Sequence, residues 1–335
     1  MNGQAEDALA EVRILKSAKL IIEKLLSVKS GENVLIISDD TSEMKMVNAL
    51  FKSALEIGGE PVITIMPSKW PSHTTLPKTI HGALQHAQVV IGITKSTGAP
   101  SYDSVVAKLL REKRIRYMSM VLRPLENWIS GAALANYDEV YSTALKLAKE
   151  FEGKSEIKVT TKLGTNITAS IDGARVIIEA GYATRPGESA AFSDGEVSFT
   201  PVEGTANGMV VVDGPIALIG KPEKPIKIVV KNGKVTEVIG GEEANKLKKL
   251  IEQVKNLNNF AEFGFGVNPN ARLDGFWQEE KKAMGTMHIA LGDNIYYGGK
   301  VKCEIHMDMV VYKPTVVVDG KVVIDEGKFK LSTTL

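Results

Sequence analysis

The sequence has one cysteine, Cys303, and five histidines, His73, His81, His86, His288 and His306. A lone cysteine excludes an intrachain disulfide and any multi-cysteine zinc or iron–sulfur site. Charge of one sign is missing too: 41 Lys and Arg face 40 Asp and Glu, a formal net charge of +1. No global field points to nucleic acid or an anionic membrane as a partner. Long apolar runs are also lacking. Val89-Val90-Ile91-Gly92-Ile93 is far short of the roughly 20 residues that span a bilayer. The first residues, with Glu6, Asp7 and Glu11, lack the basic flank and apolar core of an export signal. A cytoplasmic protein that engages neither membrane nor nucleic acid is the expectation. Any metal chemistry must draw on those few imidazoles and on carboxylates.

What is present fits a globular protein: 335 residues, 44% hydrophobic and 24% charged, enough for two domains. Ala5–Val28 has helical spacing, with Leu9, Val12, Leu15, Leu20 and Leu25 on or near one stripe. Apolar runs at Val34–Ile37, Pro61–Met66, Val89–Ile93 and Arg116–Val121 alternate with helical patterns at Ser42–Ile57 and near Tyr102–Glu112. Such alternation implies a mostly parallel sheet covered on both faces. The turn Ser38-Asp39-Asp40-Thr41-Ser42 has no glycine cluster, and neither a dinucleotide fingerprint nor a phosphate-binding loop occurs. No nucleotide cofactor is expected in this half.

Composition changes near Phe151-Glu152-Gly153-Lys154-Ser155. Beyond it, alternating segments with turn glycines include Asn232-Gly233 between Ile226–Val230 and Val235–Ile239, a two-residue hairpin signal. Glu242–Leu257 reads as a helix. The expected fold is therefore an α/β N-terminal domain (1–153) with a mostly parallel sheet, followed by an α+β C-terminal domain (154–335) rich in antiparallel strands.

Candidate chemistry lies in the second half. Cys303–Val311 reads as a strand whose alternation puts Glu304, His306 and Asp308 on one face and Ile305, Met307, Met309 and Val311 on the other. His288 lies in Gly285–Gly292, a glycine-bracketed apolar strand, and the turn-rich Asp293–Gly299 lets the two strands return beside one another. Glu196 follows an Asp-Gly turn, and Glu262 sits among aromatics and glycines. Each alone suits a solvated or satisfied strand residue. Together, two Glu, two His and one Asp form a carboxylate-rich set for one or two divalent ions. His73, His81 and His86 do not share a helix face and suit surface or packing roles. Cys303 reads as a small core residue. Arg185 and Lys282 are candidate carboxylate or oxyanion partners, with surface salt links as the plainer reading.

Four segments resemble the metallopeptidase family of aminopeptidase T, aminopeptidase S and related leucyl aminopeptidases. They are Ser193-Asp194-Gly195-Glu196-Val197 with Pro201, Ala261–Asn268, Lys282–Gly292, and His306-Met307-Asp308. The resemblance implies a hydrolase of peptides: a homodimeric metallo-aminopeptidase that releases N-terminal residues. It also implies two Zn, Co or Mn ions on Glu196, Glu262, His288, His306 and Asp308, with Glu262, Tyr296 and Tyr297 as catalytic candidates. A relative on the same fold, 2,5-dihydroxypyridine dioxygenase, opens an aromatic ring with one non-haem Fe(II). His288, His306 and Asp308 supply a two-His-one-carboxylate set for that alternative. A non-catalytic binding protein is the third reading.

Overall fold

Four short runs of apolar, mostly β-branched residues in the first half line up side by side as parallel strands. They do so in a computed structural model that describes residues 2–331. Met1 and residues 332–335, the outer ends of the two expected domains, lie outside the described residues. Helix α1 (Asn2–Lys19) runs on into a π-helical turn at Leu20–Leu25. There follow β1 (Asn33–Asp39), α2 (Met44–Glu56), β2 (Glu60–Met66), α3 (Lys78–Leu84), β3 (Val89–Ile93), α4 (Ala99–Tyr102), α5 (Ser104–Arg111), β4 (Arg116–Ser119) and α6 (Glu126–Ile129). The four strands pair in the order β2-β1-β3-β4. Every residue of β3 is buried, as a central strand covered on both faces requires. Among the described residues no helix is long and apolar enough to cross a membrane.

Two expectations about this half need correction. Leu9, Val12 and Leu15 are exposed, while Ile14, Ala18, Ile21, Ile22 and Leu25 are buried. Leu25 is thus the member of the expected stripe that is buried; Ile14 and Ala18 mark the inward side of α1, and Ile21, Ile22 and Leu25 continue it in the π-helical turn. The helix expected near Tyr102–Glu112 is broken at Asp103, whose carboxylate accepts from the N–H groups of Val105 (2.8 Å) and Val106 (3.3 Å) and so caps α5. Asp103 also accepts from Leu76 N–H, and His81 Nε2 lies 2.8 Å from its Oδ2. His81 thus has a packing role.

The remaining elements are α7 (Tyr137–Lys149), β5 (Glu156–Thr160), β6 (Asn166–Ser170), β7 (Ile177–Glu179), β8 (Ser189–Ala191), β9 (Glu196–Phe199), β10 (Asn207–Val212), β11 (Ile226–Lys231) and β12 (Lys234–Ile239). Next come α8 (Glu242–Gln253), β13 (Phe260–Gly266), α9 (Trp277–Glu280), β14 (Thr286–Gly292), β15 (His306–Tyr312), β16 (Thr315–Val318), β17 (Lys321–Asp325) and β18 (Lys328–Phe329). Two compact units result: Met1–Leu134 with Ala180–Asp194, and Ala135–Glu179 with Gly195–Leu335. A single crossing at Gly153 therefore gives way to three. Helix α7 packs on β7 and β9 of the second unit, while β8 returns to the first unit as a parallel neighbour of β4.

The first unit is α/β with one parallel sheet; the second is rich in antiparallel strands. Its eight-stranded sheet has the order β12-β11-β10-β6-β5-β16-β17-β18, and its five-stranded sheet the order β15-β14-β13-β9-β7. Asn232 and Gly233 turn β11 into β12 at φ of 50° and 70°, the left-handed pair that a two-residue hairpin needs.

At the C-terminal end of β1, Asp39 ties two loops together. Its Oδ1 accepts from the hydroxyls of Thr41 and Ser42, and its Oδ2 from the N–H groups of Lys95 (3.0 Å) and Ser96 (2.8 Å). Burial opposes its charge, but these donors outweigh burial and hold the carboxyl below its usual range. Stability from a carboxyl lowered in this way is present above about pH 4 and is lost as pH falls through the folded value. Asp39→Ala is expected to cost about 2–3 kcal/mol at pH 7. In urea unfolding the gap to the parent chain should narrow below pH 4; a pH-independent gap would rule out the carboxylate as its source.

Candidate metal centre

Strand alternation and register decide which side chains meet in the five-stranded sheet. Antiparallel pairing sets Glu196 opposite Gly266, and Ser198 opposite Gly264 opposite His288 opposite Val310. Glu262 pairs with Ala290 and Ala290 with Asp308, while Gly292 pairs with His306. Directly opposed residues share a face, so Glu196, Glu262, His288, His306 and Asp308 all lie on one side. The other side carries Val197, Phe199, Phe263, Phe265, Met287, Ile289, Leu291, Met307, Met309 and Val311, all buried. There the rings of Phe199, Phe260, Phe263 and Phe265 join Phe151 in an aromatic cluster. That apolar side anchors the sheet.

Small residues keep the polar face open. A Cβ on Gly264 would fall on the imidazole of His288, and one on Gly266 would fall on the backbone of Lys282 and Ala283. Glycine is required at both places by close approach, and not by an unusual φ.

Within this space His306 Nε2 lies 2.8 Å from Glu262 Oε2 and 3.2 Å from Asp308 Oδ1. His288 Nε2 lies 3.4 Å from Glu262 Oε1 and 3.5 Å from Glu196 Oε2. Glu196, Glu262 and His288 have no exposed side-chain surface, whereas His306 keeps 24% of its own. The cluster therefore meets solvent at His306. The Nδ1 of His306 faces the carbonyl oxygen of Asp293 at 2.7 Å. Donation to that carbonyl sets the tautomer and leaves Nε2 as the donor atom aimed into the cluster.

Several buried atoms here lack hydrogen bonds: Glu196 Oε2, Glu262 Oε1, Asp308 Oδ1 and both nitrogens of His288. Orphaned polar atoms are costly inside a protein. Five residues that converge, four of them with inner atoms left unsatisfied, fit a divalent cation between them. Two donor triads can be drawn, Glu196–Glu262–His288 and Glu262–His306–Asp308, each with its atoms within 4.8 Å of one another.

Two ammonium groups border the cluster. Lys281 Nζ is 3.1 Å from Asp308 Oδ2 and 3.4 Å from Glu196 Oε1, and Lys282 Nζ is 2.9 Å from Glu196 Oε1. Burial opposes charge on Glu196, but Lys281, Lys282 and His288 hold its carboxyl well below the usual range. Glu262 is lowered against burial by His288 and His306. Asp308 is lowered against burial by Lys281 and His306. Burial likewise opposes the charge of His306, yet Asp308 and Glu262 raise its pKa well above the usual value.

Other expected residues fall differently. Glu304 lies outside β15, which begins at His306, so it does not join the shared face. Cys303 is half-buried, with its thiol 3.3 Å from the carbonyl oxygen of Lys255. Arg185 makes a surface link to Glu188, whereas Lys282 is buried in the cluster. Tyr297 is buried and stacks on His306, with ring centroids 5.4 Å apart. Tyr296 is half-exposed, and its hydroxyl donates to Glu179 at 3.4 Å. Sequence reasoning missed Glu179, which β7 sets directly opposite Glu196 and which shares a hydrogen bond with it. It missed Lys281 too. A doubled lysine after Glu279-Glu280 looks like a solvated helix end, and only burial distinguishes it.

A family model described as NicX, 2,5-dihydroxypyridine 5,6-dioxygenase, matches residues 20–331. The chain belongs to the 2,5-dihydroxypyridine 5,6-dioxygenase family. The 2,5-dihydroxypyridine 5,6-dioxygenase of Pseudomonas putida strain KT2440 is 22% identical over 337 residues, 91% of this chain and 92% of that protein. The solved structure of 2,5-dihydroxypyridine dioxygenase from Pseudomonas putida KT2440 superposes with a TM-score of 0.81 at 19% identity, over 95% of this chain and 97% of that one. Wild-type AmpT from Thermus thermophilus superposes with a TM-score of 0.72 at 14% identity, over 96% of this chain and 99% of that one. The main expectation, a hydrolase of the aminopeptidase and metalloprotease class, is overturned by the family match. Aminopeptidase T is a relative in fold only. The motifs that suggested it follow the strand order of a scaffold that the dioxygenase family shares.

Gly264→Ala tests how the cluster is held. The added methyl displaces the His288 ring, so Mn2+ binding measured by calorimetry should weaken about 10–100-fold. The circular dichroism spectrum should be retained, and unchanged affinity would remove His288 from the donor set.

Proposed function

We infer that this protein is a metal-dependent dioxygenase that opens a dihydroxylated aromatic ring, in the manner its family's name describes. The family match over residues 20–331 carries the reading. The cluster supports it, because each of its two donor triads, Glu196–Glu262–His288 and Glu262–His306–Asp308, combines imidazole nitrogen with carboxylate oxygen, a donor chemistry suited to Fe(II). A redox-active divalent ion held by these residues supplies the electron chemistry through which molecular oxygen reacts with a closed-shell ring.

The chain's own residues bind, orient and move protons. Asp293 fixes the His306 ring through Nδ1. Were His306 to hold the ion through Nε2, Glu262 Oε2, which that nitrogen faces at 2.8 Å, would be left to accept the proton that a ring hydroxyl gives up. Burial, reinforced by Glu262 and Glu179, keeps the Tyr297 phenol protonated by raising its pKa well above the usual value. Tyr297 therefore acts as a neutral hydrogen-bond donor and as the surface against which His306 is stacked. Tyr296 packs edge-on against it, with centroids 5.2 Å apart, and supports that position. Because the other members of the cluster are closed off, the ring enters beside His306.

The test is oxygen uptake by the Fe(II)-loaded chain with 2,5-dihydroxypyridine, followed together with loss of the ring's ultraviolet absorbance. One O2 should be consumed per ring opened, with both oxygen atoms in the product. Chelator should abolish the reaction and Fe(II) restore it. His306→Ala and Asp308→Ala should each lower the rate by at least about a hundredfold while the fold persists on its apolar anchor. No uptake with any dihydroxylated pyridine or benzene would refute the reading.

A further inference from the structure

The donors on the five-stranded sheet exceed what one cation needs. The two triads share Glu262, an arrangement able to bridge a pair of ions. Yet two buried ammonium groups already occupy part of the donor set. Glu196 Oε1 faces both Lys282 Nζ at 2.9 Å and Lys281 Nζ at 3.4 Å, and Asp308 Oδ2 faces Lys281 Nζ at 3.1 Å. The lysines thus hold the outer oxygens. The inner ones, Glu196 Oε2 and Asp308 Oδ1, together with Glu262 Oε1, make no hydrogen bond. Resting on the metal-centre reading above, we propose that Lys281 and Lys282 stand in for a second cation, so that this double donor set binds one divalent ion.

Charge points the same way. With both imidazoles neutral, as ligands must be, four carboxylates, Glu179, Glu196, Glu262 and Asp308, against two ammonium groups leave two negative charges. One divalent ion cancels them. Two ions would leave two positive charges beside Glu196, Glu262 and His288, which have no exposed surface, and uncompensated buried charge is strongly unfavourable.

Backbone geometry presents the pair. Lys281 and Lys282 directly follow α9, and Gly266 admits the backbone of Lys282 and Ala283 to the sheet where any Cβ would collide. Lys281 also lies over the ring of Trp277, 5.8 Å from its centroid, which steadies its stem while the ammonium faces the carboxylates. Both lysines are positioning residues. They fix which carboxylate oxygens are left for the ion, and so how many ions enter.

The experiment is a titration of the metal-free full chain with Mn2+ alone, read by calorimetry, by metal analysis after desalting and by electron paramagnetic resonance. The parent chain should bind one Mn2+ with the spectrum of an isolated ion. The double variant Lys281→Gln/Lys282→Gln should bind two and show the spectrum of an exchange-coupled pair. Lys282→Gln, which keeps one ammonium, is the second variant should the double one fail to fold, and it too should take up a second ion. Two ions in the parent chain overturn the proposal and leave the metal centre standing, whereas none overturns both. A folded variant, checked by circular dichroism, that stays at one ion also overturns it.

Discussion

Three carboxylates, two imidazoles and two ammonium groups meet at one face of a buried sheet, and the second unit is organised around making that tolerable. Each charge alone would disfavour folding. Together they offset one another: Lys281 and Lys282 against Glu196 and Asp308, His306 against Glu262. The sheet stays in place because its opposite face is wholly apolar, with Phe199, Phe263 and Phe265 locked into an aromatic cluster. One face supplies the adhesion and the other is free to carry chemistry. Gly264 and Gly266 then act as spacers, giving up side-chain packing so that a ring and a backbone can approach.

The same constraint explains why a scaffold related to an aminopeptidase belongs here to a dioxygenase family. A sheet face lined with carboxylates and imidazoles holds hard or borderline divalent ions in general. Which reaction follows depends on the identity of the ion, on what fills the remaining positions and on what the pocket admits. Fold likeness to AmpT therefore says little about chemistry, whereas a family match along nearly the whole chain says more. Motif order along the sequence is a property of the scaffold, and so it pointed to the wrong branch of it.

Much of the fold was legible because its signals are local. The β3 run Val89–Ile93, the Asn232-Gly233 turn and the return of the His288 strand beside the His306 strand follow from residue type and period, and all three are present. Where local signals compete, legibility fell. Leu9, Val12 and Leu15 form as good a stripe as Ile14, Ala18 and Ile21, and only the neighbours of α1 select between them. Likewise α7 follows the first unit in sequence but packs with the second.

By itself, the sequence determined the supply of ligands: one cysteine and five histidines left carboxylates and two imidazoles to build any metal site, and period-two alternation put His306 and Asp308 on a common face. Tertiary structure alone decided the rest. Cross-strand register brought Glu179 opposite Glu196, and the turn after α9 carried Lys281 and Lys282 into the cluster. Those contacts join residues as far as about 85 positions apart, and the spacing of a sequence has no term for the folding that brings such distant charges within reach of one another.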